Sequence, residues 1–93
     1  RGTVAIVDAA TKVIGVVTSG DLARLMENRD DFLGVIVSEV MTKTPRLARA
    51  DELAGAVVYR MEQHGIMAMP VVDDERTLVG VVHLHDLMRA GAA

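Results

Sequence analysis

The chain has 93 residues, a formal net charge of −3 at pH 7 and a hydrophobic content of 51%. This length fits one small domain with a limited core. No apolar run approaches the roughly 18 residues that cross a bilayer, and no basic stripe suited to nucleic acid is present, so we expect neither partner. The lack of cysteine excludes disulfides and thiolate chemistry and agrees with a reducing, cytoplasmic location.

The N-terminal third of the chain predicts a β-hairpin followed by a helix. Residues 3–7 and 13–17 are β-branched runs separated by a polar, turn-forming connection, which is the pattern of two paired strands. Apolar residues then recur at helical spacing over 19–28, so a helix follows directly. Residues 32–37 form an apolar crossover that we expect to be partly buried.

The middle of the chain predicts a short turn, a brief strand and a longer helix. A capped turn is expected over 38–41, Pro45 disfavours helix just before it, and a strand is predicted over 46–48. Asp51 is a suitable helix N-cap and Gly65 a suitable helix end. The predicted apolar face of this helix consists of Leu53, Ala54, Val57, Val58 and Met61.

The C-terminal third repeats the N-terminal third. A hairpin is predicted over 67–72 and 77–82 and a helix over 84–89, and one constant spacing relates them to the first hairpin and helix. A repeat at fixed spacing indicates one supersecondary unit used twice. The matching pieces are Val7-Asp8 with Val72-Asp73, and Gly15-Val16-Val17-x-x-x-Asp21-Leu22-x-Arg24 with Gly80-Val81-Val82-x-x-x-Asp86-Leu87-x-Arg89.

The two units are predicted to differ in extent. The second has the order strand, helix, strand, strand, helix, whereas the first lacks the opening strand and helix because residue 1 aligns with Ile66. We assign 1–31 to a partial first unit, 32–39 to a linker and 40–93 to a complete second unit. The missing opening leaves a bare sheet edge that invites pairing. The start at Arg1 rather than Met indicates a piece of a longer protein.

Four pieces of the chain carry a family resemblance: Val40-Met41-Thr42, Ile66-Met67-Ala68-Met69-Pro70-Val71-Val72-Asp73, Gly80-Val81-Val82-His83-Leu84-His85-Asp86 and Gly15-Val16-Val17-Thr18-Ser19-Gly20-Asp21. In this order they resemble the CBS domain, named after cystathionine β-synthase, which works in tandem pairs. The resemblance covers essentially the whole chain. It implies an α/β (α+β) fold in which two β-α-β-β-α units pack as a pair.

A narrower resemblance is carried by residues 80–91. They are similar to the C-terminal end of bacterial arabinose-5-phosphate isomerases, in which a sugar-isomerase domain precedes a CBS pair and serves synthesis of a lipopolysaccharide sugar. The resemblance implies a covalently attached catalytic domain outside these 93 residues.

Thr18 and Asp21 form the first candidate site. Thr-x-x-Asp at a helix start is a capping box, in which each side chain satisfies a backbone N–H, and this role needs no ligand. The CBS resemblance implies a second role, in which the Asp accepts from ribose hydroxyls while the Thr hydroxyl and the helix N-terminus meet phosphate. Both roles can coexist, although half of the first unit's cleft is missing.

His83 and Asp86 form the second candidate site and separate these two roles. His83 stands where the family usually has Thr or Ser, and it cannot provide the same hydroxyl cap, yet the carboxylate of Asp86 is retained. We therefore expect a ligand first near Asp86, at a site that differs from an ordinary adenosine site.

Further ligand-binding residues are implied by the resemblance. Those on the strand that would flank a base are Ile66, Met67 and Ala68, followed by Met69, and those that precede the opening strand and match cleft-lining positions are Thr42, Lys43 and Thr44. The alternatives are plain core packing for the apolar residues and a solvated surface charge for Lys43.

The sequence favours neither metal binding nor catalysis. The sequence His83-x-His85-Asp86 brings two imidazoles together but straddles a strand-to-helix junction, and only His64 and scattered carboxylates remain as further ligands. No nucleophile and base set and no glycine-rich phosphate loop is present. We expect no metal, no cofactor and no catalytic residue in this chain.

The leading functional hypothesis is a regulatory module. It binds a nucleotide-type ligand, either adenosine-type or a nucleotide-sugar, and modulates an attached sugar-phosphate isomerase. The rival is a structural oligomerisation module whose clefts are empty and whose apolar surface pairs two chains. The two are compatible, because CBS pairs commonly associate into dimers, and we expect a homodimer. A third hypothesis, catalysis by these residues alone, lacks an acid–base pair.

Overall fold

The computed structural model of the chain describes residues 2–91. Within this range no helix is long and apolar enough to cross a membrane. Besides a 3₁₀ turn at Phe32–Gly34, the elements in chain order are β1 (Thr3–Val7), β2 (Val13–Thr18), α1 (Ser19–Asn28), α2 (Val37–Val40), β3 (Ala48–Arg49), α3 (Ala54–His64), β4 (Ala68–Val72), β5 (Leu78–His83) and α4 (Leu84–Arg89).

Two small sheets carry the fold. β1 and β2 pair antiparallel, and the second sheet has the order β3-β4-β5, with β3 parallel to β4 and β4 antiparallel to β5. A helix follows the last strand of each sheet directly, α1 after β2 and α4 after β5. The predicted α+β architecture of paired units is confirmed.

The repeat extends to the backbone details of both hairpins. A bulge interrupts strand pairing at Ile6/Val7 and again at Val71/Val72. One carboxylate oxygen of Asp8 accepts two backbone N–H groups of its turn, at 2.9 and 3.0 Å, and one oxygen of Asp73 does the same, at 2.9 Å for both. The two units therefore share their turn geometry and not only their sequence.

The two hairpin turns contact each other through a pair of equivalent hydrogen bonds. The Val13 N–H donates to the Arg76 carbonyl at 3.0 Å. The equivalent bond runs from the Leu78 N–H to the Thr11 carbonyl at 2.9 Å. Thr11 and Arg76 have φ of 65° and 69°, a left-handed conformation that is uncommon for residues other than glycine. The contact between the turns thus joins the units through paired main-chain bonds.

The packed core lies in the second unit, between α3 and the β3-β4-β5 sheet. Met61 and Met69 are fully buried there, and the other members of this core are Ala48, Val57, Val58 and Leu84. In contrast, α1 buries none of its residues. No helix equivalent to α3 covers the first sheet within the described part of the chain, and the first unit therefore leaves apolar side chains in contact with solvent.

The start of α3 differs from the prediction. Asp51 is not the N-cap: the helix begins after Leu53, whose side chain makes no cap and is 81% exposed instead of joining the core. Glu52 accounts for the difference, because its carboxylate accepts from a β3 backbone N–H and from Arg60, which forms a turn ahead of the helix. Gly65 ends the helix with φ of 67°, as predicted.

The apolar crossover is partly buried, as predicted: Phe32 and Val35 are half-buried, whereas Leu33 and Ile36 are open to solvent. Two shorter elements differ from the prediction. The brief strand is at Ala48–Arg49 instead of 46–48, and the turn expected at 38–41 is α2, which has no side-chain cap. These short elements depend on contacts distant in sequence, which local propensity does not encode.

Residues 41–47, which connect the predicted linker at 32–39 to β3 and are included in the linker from here on, cross closely over β2. Thr42 and Val16 exchange two backbone hydrogen bonds, at 2.8 and 3.1 Å. The approach requires Gly15, because a Cβ there would lie 2.5 Å from Met41 Sδ and 2.9 Å from the Thr42 carbonyl oxygen. At the equivalent position of the second unit, a Cβ on Gly80 would meet nothing within 4 Å.

Gly15→Ala is expected to destabilise the chain by about 1–3 kcal/mol, because the linker backbone must move to admit the methyl group. Gly80→Ala is the matched control, and since it meets open space it is expected to change stability by less than about 1 kcal/mol. Urea unfolding of both variants measures the difference. Equal effects of the two substitutions would contradict the crossing.

Candidate functional site

A cleft of about 1020 Å³ lies where the two units and their linker meet. Its walls are the end of β2, the linker from Thr42 to Leu47, and the connection from α3 to β4. Six of the eleven candidate residues line it: Thr18, Thr42, Thr44, Ile66, Met67 and Ala68. The other five are not among the lining residues: Asp21, Lys43, Met69, His83 and Asp86.

Two backbone features shape this cleft. The bridge between Thr42 and Val16 holds the linker against the end of β2. Gly65, in its left-handed conformation, turns the chain out of α3, and the Ile66 N–H donates to the Met61 carbonyl at 2.8 Å. The chain after this turn leads into β4. The wall formed by the end of β2 therefore belongs to the first unit, and the wall formed by the α3–β4 connection belongs to the second unit.

The lining combines hydroxyls with small apolar groups. Thr18, Thr42 and Thr44 supply hydroxyl groups, and Ile66 and Ala68 supply apolar surface. A few polar groups that orient a ligand against an apolar wall are typical of small-molecule sites. Lys43 is exposed and is not a lining residue.

Thr18 and Asp21 form the predicted capping box at the start of α1. The Asp21 N–H donates to Thr18 Oγ1 at 3.2 Å, and the Thr18 N–H donates to Asp21 Oδ2 at 2.9 Å. Asp21 Oδ1 also accepts from Arg24, and its side chain is only 14% exposed. The carboxylate is therefore engaged by the helix terminus and an arginine, and its role in this structure is to hold Thr18 in place.

His83 and Asp86 behave differently from their counterparts. The side chain of His83 makes no cap at the start of α4, which confirms the prediction that histidine cannot replace the hydroxyl. Asp86 is paired with Arg89, but its side chain is 58% exposed. Both residues are exposed, and neither is a lining residue of the cleft.

Glu52 and Arg60 fix the linker wall of the cleft. Arg60 forms an ion pair with Glu52 and donates to the Leu47 carbonyl at 3.0 Å. The Arg60 guanidinium, together with the Arg49 backbone N–H, lowers the pKa of Glu52 to about 2. The same hydrogen bond raises the pKa of Arg60. Arg60 is therefore a structural cation that ties α3 to the linker.

Sequence reasoning did not assign Arg46, Arg60 or His64 to the site, although all three line the cleft. Arg46 follows Thr44 closely, so the candidate threonines of this segment could have pointed to it as a further cleft residue. Arg60 and His64 reach the cleft only through the position of α3 and carry no local signal. Within residues 2–91, Arg46 forms no ion pair, so it is the arginine available to an anionic ligand.

The described residues contain no group of three or more His, Asp or Glu side chains arranged to hold a metal ion. His83 and His85 lie on β5 and α4, so the His-x-His sequence spans the junction between strand and helix.

Comparison with known proteins places this arrangement in a family. The family model described as the CBS domain matches residues 37–93. The chain belongs to the CBS domain family. The structure aligns with the CBS domain pair of protein MJ0100, in complex with 5′-methylthioadenosine and S-adenosyl-L-methionine, with a TM-score of 0.81 and 32% identity over 96% of this chain and 68% of that one.

Two curated relatives of this CBS pair are enzymes. Arabinose 5-phosphate isomerase KdsD of Pseudomonas aeruginosa is 37% identical over 90 residues, 97% of this chain and 28% of the relative. L-aspartate semialdehyde sulfurtransferase of Methanocaldococcus jannaschii is 36% identical over 85 residues, 90% of this chain and 16% of the relative. The chain thus spans less than a third of the length of either enzyme.

Thr18→Ala is expected to destabilise the CBS pair by about 0.5–2 kcal/mol, because it removes the N-cap of α1. His83→Ala is the matched control at the equivalent position and removes no cap, so a change of less than about 0.5 kcal/mol is expected. Chemical denaturation of both variants measures these changes in the free energy of unfolding. An equal loss in both would show that the capping box does not stabilise α1.

The low pKa of Glu52 predicts a loss of stability in acid. Its carboxylate has a pKa of about 2 in the folded state against an ordinary value of 4.5, so its stabilisation is complete above the ordinary value and is lost as the pH falls towards 2. Glu52→Gln removes a charge-assisted hydrogen bond of about 1.5–3 kcal/mol. Urea unfolding measures the free energy of unfolding of parent and variant, and the difference between the two should shrink as the pH falls through this range. A difference that stays constant with pH would contradict the assignment.

Proposed function

We propose that this CBS pair is a regulatory module that binds a nucleoside-type ligand, either adenosine-type or a nucleotide-sugar. The observation that carries the proposal is the cleft of about 1020 Å³, which combines hydroxyl and apolar residues from both units. Its volume is just above the range of about 300–1,000 Å³ that is typical of small-molecule sites. Binding would shift the arrangement of the two units and so modulate a sugar-phosphate isomerase domain on the same polypeptide.

In the proposed complex, different parts of the ligand contact different walls of the cleft. The base packs on the apolar surface of Ile66, Met67 and Ala68. The threonine hydroxyls meet the ribose and its substituents, and Arg46, free of ion pairs in the described part of the chain, meets a phosphate. Asp21 acts by holding Thr18 through the capping box.

A second position for a ligand is proposed at His83 and Asp86. Both side chains are exposed at the start of α4, as the surface of a second cleft would require. The described residues provide no opposite wall there, so the cleft at Thr18 is the first place to look for a bound ligand.

The relatives support this assignment in two ways. The MJ0100 domain pair, at 32% identity, is in complex with two adenosine-containing molecules. The Pseudomonas aeruginosa relative is an isomerase of arabinose 5-phosphate. We therefore propose an isomerase as the attached catalytic domain and the cytoplasm as the location of the protein.

A thermal-shift panel tests ligand binding. AMP, ADP, ATP, S-adenosylmethionine, 5′-methylthioadenosine and CMP-sugars are added to the CBS pair with its natural flanking sequence. A ligand at about 100 times its Kd stabilises by roughly 2.7 kcal/mol, so at least one compound should raise the Tm by several degrees. The absence of a shift with every compound would overturn the proposal.

Arg46→Ala, measured with the same ligand panel, tests whether the ligand phosphate binds in this cleft. It is expected to weaken a phosphate-bearing ligand by about tenfold, equivalent to 1.4 kcal/mol, and to leave 5′-methylthioadenosine, which has no phosphate, unaffected. Arg29→Ala is the matched control, because Arg29 pairs with Asp31 away from the cleft. Equal losses in the two variants would move the phosphate site elsewhere.

Oligomerisation is a second candidate function. It is favoured by exposed apolar side chains on the two helices that end the units, Leu22 and Met26 on α1 and Met88 on α4, which suit the proposed homodimer. A dimer by light scattering whose stability does not respond to any ligand of the panel would favour this function over regulation.

A further inference from the structure

The ionisable side chains that line the cleft are all basic. Among residues 2–91 they are Arg46, Arg60 and His64, and no aspartate or glutamate is a lining residue. The chain as a whole has the opposite balance, with 13 acidic residues against 10 lysines and arginines. A cleft lined by charge of one sign concentrates ligands of the other sign. The lining therefore favours an anionic ligand, although the protein is acidic.

Two carboxylates close in sequence to the lining residues are engaged by other groups. Asp21 accepts from the Thr18 N–H at 2.9 Å and pairs with Arg24. Glu52 pairs with Arg60, so the charge of this lining arginine is already compensated. The positive charge that remains for a ligand comes from the other two basic lining residues.

Arg46 and His64 are these two residues. Both are exposed, and within the described part of the chain neither side chain forms a hydrogen bond or an ion pair. Arg46 belongs to the linker and His64 is the last residue of α3, so they reach the cleft from different walls. Hydrogen bonds from cationic donors to a phosphate are stronger than those between neutral groups. A phosphate placed between these walls gains such bonds from both.

We infer that the cleft selects anionic, phosphate-bearing ligands over neutral and cationic ones, and that His64 makes this selection depend on pH. The inference rests on the proposed function, because it concerns the ligand of the same cleft, and it narrows the class of that ligand. AMP, ADP, ATP and the CMP-sugars carry phosphate. In contrast, 5′-methylthioadenosine is neutral and S-adenosylmethionine carries a sulfonium cation.

The pH dependence follows from the other groups that face His64 across the cleft. Histidine ordinarily changes its charge between pH 5 and 8, whereas Arg46 and Arg60 stay charged throughout. The first unit presents hydroxyl groups, from Thr3 and Thr18 among others, and the exposed Glu62 of α3 is not a lining residue. Between pH 6 and 8, His64 is thus the group that changes the charge of the described lining.

Isothermal titration calorimetry on the natural polypeptide that contains this CBS pair tests the charge selection. At least one phosphate-bearing compound is expected to bind about tenfold or more tightly than 5′-methylthioadenosine and S-adenosylmethionine. Equal affinities would overturn the inference and leave the proposed function intact. Failure of every compound to bind would overturn both.

His64→Gln tests the role of the histidine with the tightest phosphate-bearing compound. The variant is expected to weaken binding about three- to tenfold at pH 6 and less than about twofold at pH 8. Comparing variant and parent at the same pH cancels the titration of the ligand's own phosphate. His85→Gln is the matched control, because His85 is exposed and does not line the cleft.

His64→Lys separates a role of charge from a role in structure. Because lysine keeps its charge, the variant is expected to bind the compound as tightly as the parent at pH 6 and more tightly than the parent at pH 8. A loss in His64→Gln that is equal at both pH values, or that His85→Gln reproduces, would overturn the role of His64.

Discussion

The close crossing of the linker over β2 is the contact on which the rest of the structure depends. Two main-chain hydrogen bonds between Thr42 and Val16 hold the linker in place. The absence of a side chain at Gly15 permits the linker to approach β2 this closely. Without this crossing the linker would not form a wall opposite the end of β2. The cleft therefore exists because one strand position carries no Cβ.

The cleft belongs to the pair of units and not to either alone. Thr18 comes from the first unit, Thr42 and Thr44 come from the linker side, and Ile66 to Ala68 come from the second unit. A molecule that fills it contacts all three parts, so its affinity depends on how they are arranged. This dependence is what coupling between a binding site and a neighbouring domain requires. The Arg60–Glu52 pair stiffens one wall and limits the arrangements that are accessible.

Sequence periodicity predicted the longer elements well and the contacts between distant parts poorly. The helix after the first hairpin was placed at the residues where it lies, and so was the last helix, because apolar spacing encodes them locally. The start of α3 was misplaced because Glu52 is engaged by Arg60, eight residues further on. Candidate cleft residues were identified within each unit, but no local pattern shows that Thr18 faces the linker and β4 of the other unit.

The left-handed turns at Thr11 and Arg76 carry a consequence for folding. Neither residue is a glycine, so each hairpin alone adopts its turn against local preference. Local hydrogen bonds to Asp8 and Asp73 offset part of this cost, and further bonds come from the opposite hairpin, more than sixty residues away in sequence. Each turn therefore gains its full stabilisation only when the two hairpins have met, and contacts of such long sequence separation form slowly. The two halves of this small repeat should acquire their structure in one cooperative step instead of one after the other.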